Sequence, residues 1–122
     1  MTETTEATET KLTAVKECEK MYPEMTGEFK LILKEQYHLF CKKQLNYGPS
    51  NIAGGTLLQT NDDIKFSLTG IFFRINDKIQ RIKQLVVLGK PDEVGESVED
   101  TFHDLSVYSI IAQIVRRGKW GK

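Results

Sequence analysis

Seven aliphatic residues, Ile64, Leu68, Ile71, Ile75, Ile79, Ile82 and Leu85, recur in steps of four or three. That spacing puts them on one face of a helix more than five turns long. Asp62 or Asp63 is placed to cap its start, and Gly89 marks its end. A stripe this long needs other helices to cover it. A second long helix is expected over 26–45, with Thr26 as its N-cap, Glu28 in its first turn and Phe29, Ile32, Leu33, Leu39 and Phe40 at helical spacing. The breaker cluster Asn46-Tyr47-Gly48-Pro49 ends it. A third runs over 94–117 and stops at Gly118, and a short helix over 12–21 precedes Pro23. Residues 48–62 lack a period and read as a long loop, a kind that is often functional. No strand-like alternation persists beyond a few residues. The expected fold is all-α, a bundle of three long helices plus a short N-terminal one.

At 122 residues the chain has room for one domain, placed at 11–122 behind a Thr/Glu-rich flexible tail at 1–10. Lys plus Arg and Asp plus Glu both number 17, so the basic excess of a strong nucleic-acid binder is missing. The longest apolar run, residues 85–88, is far too short to span a membrane. With no secretory-type start, Cys18 and Cys41 read as reduced thiols and the expected location is cytoplasmic.

The last helix carries Glu96, Asp100 and Asp104 at i, i+4 and i+8, and the same line continues into Val107, Ile111 and Ile114. Acids on a face that turns aliphatic point partly inward and need positive charge beside them. A hard divalent cation answers that need, since it takes oxygen ligands and bridges carboxylates to phosphates. Pairing with Lys and Arg of the neighbouring helix answers it equally well. That neighbour supplies Arg74, Lys78 and Arg81 along one flank of the isoleucine stripe, with Asp77 among them, placed to pair with Arg81 at i, i+4 or to serve a metal. The short connection after Gly89 makes the two helices antiparallel neighbours. The basic residues can then hold phosphate oxygens, or simply bridge to the acids.

Fainter signals lie elsewhere. Glu35 borders the apolar stripe of its helix and can complete a carboxylate cluster. Tyr47 can stack on a base, and Asn51 with Gly54 and Gly55 can approach a ligand closely, although such residues are also plain turn chemistry. The basic tail with Lys119 and the sole tryptophan, Trp120, can close over a phosphate or cap a helix. His38 and Cys41 lack a second ligand pair for zinc. Phosphate-loop, dinucleotide and nucleophile-elbow motifs are missing from the sequence.

Taken in order, three motifs resemble those of the nucleotide modification associated domain 1 family of phages and bacteria. The first is Glu35-x3-Leu39-Phe40-x2-Lys43-x3-Tyr47-Gly48-Pro49-x-Asn51-Ile52. The second is Arg74-x2-Asp77-Lys78-x2-Arg81. The third is Glu96-Ser97-Val98-Glu99-Asp100-Thr101-x2-Asp104-Leu105-x2-Tyr108, followed by Arg117-Gly118-Lys119-Trp120. That family is similar to the all-α, MazG-like nucleoside triphosphate pyrophosphatases, which are dimers or tetramers holding Mg²⁺ on carboxylates from two helices.

The resemblance implies metal carboxylates at Glu35, Glu96 and Asp100, with Glu99 and Asp104 beside them. It places phosphate on Arg74, Lys78 and Arg81. The chain departs from the family at Asn46, where Asp is common. The leading expectation is a Mg²⁺- or Mn²⁺-dependent nucleotide pyrophosphohydrolase of a phage-infected or bacterial cell, with Glu35, Glu96 and Asp100 catalytic. Nucleotide would rest on Arg74, Asp77, Lys78, Arg81, Tyr47, Asn51 and Lys119, in a homodimer or homotetramer. The alternatives are a non-catalytic protein that sequesters a nucleotide or nucleotide signal, as in phage anti-defence, and a helical interaction module.

Overall fold

The computed structural model describes residues 2–122. Met1, the first residue of the expected tail, lies outside them. The fold is all-α: 78% of the chain is helical and no strand occurs among the described residues. The elements are α1 (Thr2–Met21), α2 (Pro23–Tyr47), α3 (Ser50–Ala53), α4 (Asn61–Ile82) with a π-helical last turn (Lys83–Val87), and α5 (Val98–Arg116). None of these helices is long and apolar enough to cross a membrane. The chain divides into two compact units, one reaching to Leu39 and the other running from Phe40 to Lys122, with α2 continuous through the division.

In the first unit, α1 takes in the Thr/Glu segment instead of starting after it. Threonine hydroxyls turn back onto the helix, Thr10 donating to the Glu6 carbonyl and Thr13 to that of Glu9, each at 2.9 Å. Tyr22 alone separates α1 from α2, and Pro23 opens α2, where a missing N–H leaves nothing unpaired. Thr26 is therefore inside α2 and not its cap; its hydroxyl donates to the Tyr22 carbonyl at 3.0 Å. Lys30 meets Glu19 at 2.9 Å. Phe29, Ile32 and Leu33 remain exposed.

The second unit holds the core, built on Ile52, Ile71, Ile111, Val115 and Trp120. Ile71 comes from the isoleucine stripe of α4, and Ile111 and Val115 from α5, which packs along it. Burying one such aliphatic side chain contributes roughly 1.5–3 kcal/mol. The expected loop at 48–62 contains α3, because Ile52 and Ala53 have a core to enter. Ser67, itself buried, donates to the Ile52 carbonyl at 2.6 Å and fastens α3 to α4. At the end of α3, Gly54 has a φ of +66°, and a Cβ there would come within 2.6 Å of the Phe66 ring. Only glycine meets both conditions.

Two caps differ from expectation. Thr60, and not an aspartate, caps α4: its hydroxyl accepts from the Asp63 N–H at 3.1 Å, while the Asp63 carboxylate accepts from the Gln59 N–H at 3.2 Å. Helix α5 begins at Val98, four residues later than expected, with Ser97 as the cap accepting from Asp100 N–H at 3.0 Å. Glu96 therefore lies in the connection before α5 and not on the helix. At the other end Trp120 folds back, its indole N–H donating to the Pro49 carbonyl at 3.0 Å and its ring meeting Phe40 edge-on.

Candidate functional site

The basic stripe of α4 splits between two tasks. Lys78 and Arg81 turn to the acids that precede and open α5. Lys78 Nζ lies 2.7 Å from Glu96 Oε1 and 2.9 Å from Asp104 Oδ2. Arg81 Nε lies 2.7 Å from Glu96 Oε2, and its Nη2 lies 2.9 Å from Asp92 Oδ1 and also donates to the Glu96 carbonyl. Beneath them Thr101, fully buried, accepts from Arg81 Nε at 3.1 Å and shares its proton between the Ser97 carbonyl and Glu96. Glu96 thus reaches Asp104's neighbourhood through the bend before α5, where helical spacing had been expected to carry it.

Burial alone would lower the Lys78 ammonium, but the paired carboxylates of Glu96 and Asp104 outweigh it and raise its pKa above the usual 10.5. The Arg81 guanidinium and the Val94 N–H hold the Asp92 carboxyl below its usual 3.8. The expected Asp77–Arg81 pair does not form. Arg81 is engaged across the connection, and Asp77 is exposed without an ion pair among the described residues.

Arg74, one turn before Lys78, goes elsewhere. Its guanidinium carbon sits 5.8 Å from the centre of the Tyr108 ring, and Nη2 donates to the Asn51 carbonyl at 3.4 Å. No carboxylate among the described residues lies within ion-pair distance of it. Arg74 faces a cleft of about 310 Å³ between the end of α2, α3, α4 and α5. Tyr47 and Asn51 line this cleft as well, so three of the expected nucleotide contacts come together there. Asp104 closes one wall, with Oδ1 3.8 Å from Lys43. Lys43, His103 and Tyr108 also line the cleft and were not among the expected site residues. Lys43 and Tyr108 stand in the motifs quoted above, so the signal was present; it lacked a geometry to give it a role.

The remaining expected residues of the second unit are not part of this cluster. Glu99 and Asp100, in the first turn of α5, are exposed. Lys119 is exposed beside Trp120 and does not line the cleft. Glu35 is an exposed residue of α2 in the first unit. Among the described residues no group of three acidic, histidine or cysteine side chains is placed to hold a metal ion. Glu96 and Asp104 are neutralised by Lys78 and Arg81 instead.

Residues 62–115 match the family model described as nucleotide modification associated domain 1. The match takes in α4 from its second residue and α5 short of its last, and with them the second motif and most of the third. The motif at the end of α2, with Lys43, Tyr47 and Asn51, lies outside it. Searches of curated proteins and of solved structures gave no match.

Proposed function

We propose that this chain binds a nucleotide in the cleft of its second unit, with phosphate oxygens on Arg74 and Lys43. One observation carries the reading. Arg74 is a half-buried cation in a concave, aromatic-lined site, and it lacks the carboxylate partner that its neighbours Lys78 and Arg81 have. A guanidinium offers a planar fork of donors suited to phosphate, and Tyr108 and the Asn51 carbonyl hold Arg74 at the cleft while occupying only one of its donor groups. The nucleotide-related description of the matched family supports the same class of ligand.

Hydrolysis is a second reading, favoured by the position of Asp104 on the cleft wall. Metal-assisted release of pyrophosphate by Mg²⁺ or Mn²⁺ needs carboxylates gathered and unpaired, so no step is assigned to a metal here. We also propose that copies of the chain associate through the exposed apolar face of α2.

A calorimetric titration of the full chain with the four dNTPs and their monophosphates, with and without Mg²⁺, tests the first reading. Binding that falls roughly tenfold or more in Arg74→Ala is expected, since a charge-assisted hydrogen bond contributes about 1.5–3 kcal/mol. Failure of every nucleotide to bind the folded protein would overturn it. Pyrophosphate assayed in the same samples separates a hydrolase from a protein that returns its ligand intact.

A further inference from the structure

Sharing Asn51 and Arg74 with that cleft, a second cavity of about 230 Å³ lies on α4, lined by Phe66, Gly70 and Phe73 among others. Phe66, Gly70 and Phe73 are spaced i, i+4 and i+7, so they share one face of the helix. Both rings are well exposed, at 60% and 61%, outside the core of this unit. Neither ring is loose, however. Phe66 lies against the backbone of Gly54, where no Cβ could fit, and Phe73 meets Phe72 edge-to-face at 5.6 Å.

Between them stands the least helix-favouring residue after proline, well inside a 22-residue helix. A Cβ on Gly70 would meet nothing within 4 Å, so packing inside the chain does not require a glycine there. What the glycine provides is bare helix surface between two aromatic walls.

The dimensions suit a flat ring. Seven residues of helix separate Phe66 from Phe73 by about 10.5 Å along the axis. An aromatic ring stacked in offset fashion on each wall needs about 9–14 Å, at 4.5–7 Å for each pair of ring centres. Asn51 and Arg74 line both this slot and the phosphate cleft, so the two are adjoining parts of one surface. The Asn51 side-chain amide holds no hydrogen bond among the described residues and can read a polar ring edge.

We infer that the Phe66–Gly70–Phe73 slot holds the nucleobase of a nucleotide whose phosphates rest on Arg74 and Lys43. This rests on the nucleotide reading above and adds where the base sits. A second copy of the chain is disfavoured as the occupant, because the slot is narrow and runs into a cationic cleft.

The decisive variant is Gly70→Leu, which fills the slot while improving helix propensity. Inorganic pyrophosphate serves as the base-free probe. The wild-type chain is expected to bind its best dNTP more tightly than pyrophosphate. Gly70→Leu should lose roughly tenfold to hundredfold of the dNTP affinity, the range for one stacked base, and keep that for pyrophosphate. Phe73→Ala, folded by circular dichroism, should show the same split. In the wild-type complex, saturation transfer from phenylalanine ring protons should reach the base protons.

Unchanged dNTP binding by Gly70→Leu would overturn the slot and leave the cleft reading standing. So would a fall in molecular mass in that variant, which would mark the slot as an interface between copies. Failure of the wild type to bind both dNTP and pyrophosphate would instead overturn the nucleotide reading itself.

Discussion

Lys78 shows how one side chain can settle what its neighbours do. It holds Glu96 and Asp104 together, and all three side chains are largely withdrawn from water. Replacing it with methionine keeps the stem but leaves Glu96 to Arg81 alone and Asp104 to the more distant Lys43, so a loss of roughly 1–3 kcal/mol is expected by urea unfolding at neutral pH. The pH dependence has a definite sign. Because the Lys78 pKa is raised above 10.5, its contribution is complete below that value and is lost as pH climbs through the raised one. Asp92 is the mirror case. Its pKa lies below 3.8, so its contribution is complete above that value and lost as pH falls through the lowered one. Lys78→Met should therefore flatten the alkaline limb of the stability profile, and Asp92→Asn the acid limb. An alkaline limb of wild-type steepness in Lys78→Met would show that the ammonium is not what titrates. The sequence had offered mutual salt bridging and metal binding as rival uses of these residues, and both fit their spacing. Only the rotation of Lys78 and Arg81 about α4, which spacing does not specify, brings the cations onto the acids.

Helices were legible where a single pattern governed them. The isoleucine stripe gave α4 its length and its buried face, and Gly89 its stop, because period and breaker act within one element. The ends governed by two competing signals were read differently from how they formed. Thr26 resembles an N-cap, but Pro23 can start a helix three residues earlier at no cost in hydrogen bonds, and α2 starts there. Glu96 extends the i, i+4 series of α5, but Ser97 is the better cap and begins the helix after it. Ser97→Ala is expected to cost about 1 kcal/mol, the usual worth of such a cap. It should also loosen the Glu96 contacts, since the cap fixes where the connection turns. Hydrogen exchange in the first turn of α5 measures both. Protection unchanged there would show that Arg81, through the Glu96 carbonyl and Thr101, holds the turn unaided. The cleft was illegible for a related reason. Its wall at Asn51 follows Pro49, whose carbonyl is held by Trp120, some seventy residues away, through one indole hydrogen bond.

Across the whole molecule the two units use their apolar residues differently. The second gathers Ile52, Ile71, Ile111 and Val115 into a core. Along α2 of the first, Met25, Phe29 and Ile32 stay 60%, 66% and 47% exposed, spaced i, i+4 and i+7 on one helical face. A 3.6-residue period of this kind ordinarily marks a face that is covered. Apolar side chains left exposed along one face mark an interface when they form a contiguous patch. A second copy is the occupant that a concentrated solution of the chain always supplies, and antiparallel pairing of two such faces would satisfy both with one two-fold contact. Light scattering at micromolar concentration is therefore expected to give a dimer or tetramer. Phe29→Glu with Ile32→Lys should shift it to monomer, because both charges would be stranded in the contact. Nucleotide affinity should survive in the double variant, as Arg74, Lys43 and the Phe66–Phe73 slot all belong to the other unit. A wild-type monomer would contradict self-association. A monomeric double variant that no longer binds nucleotide would show that the site needs the assembled chain.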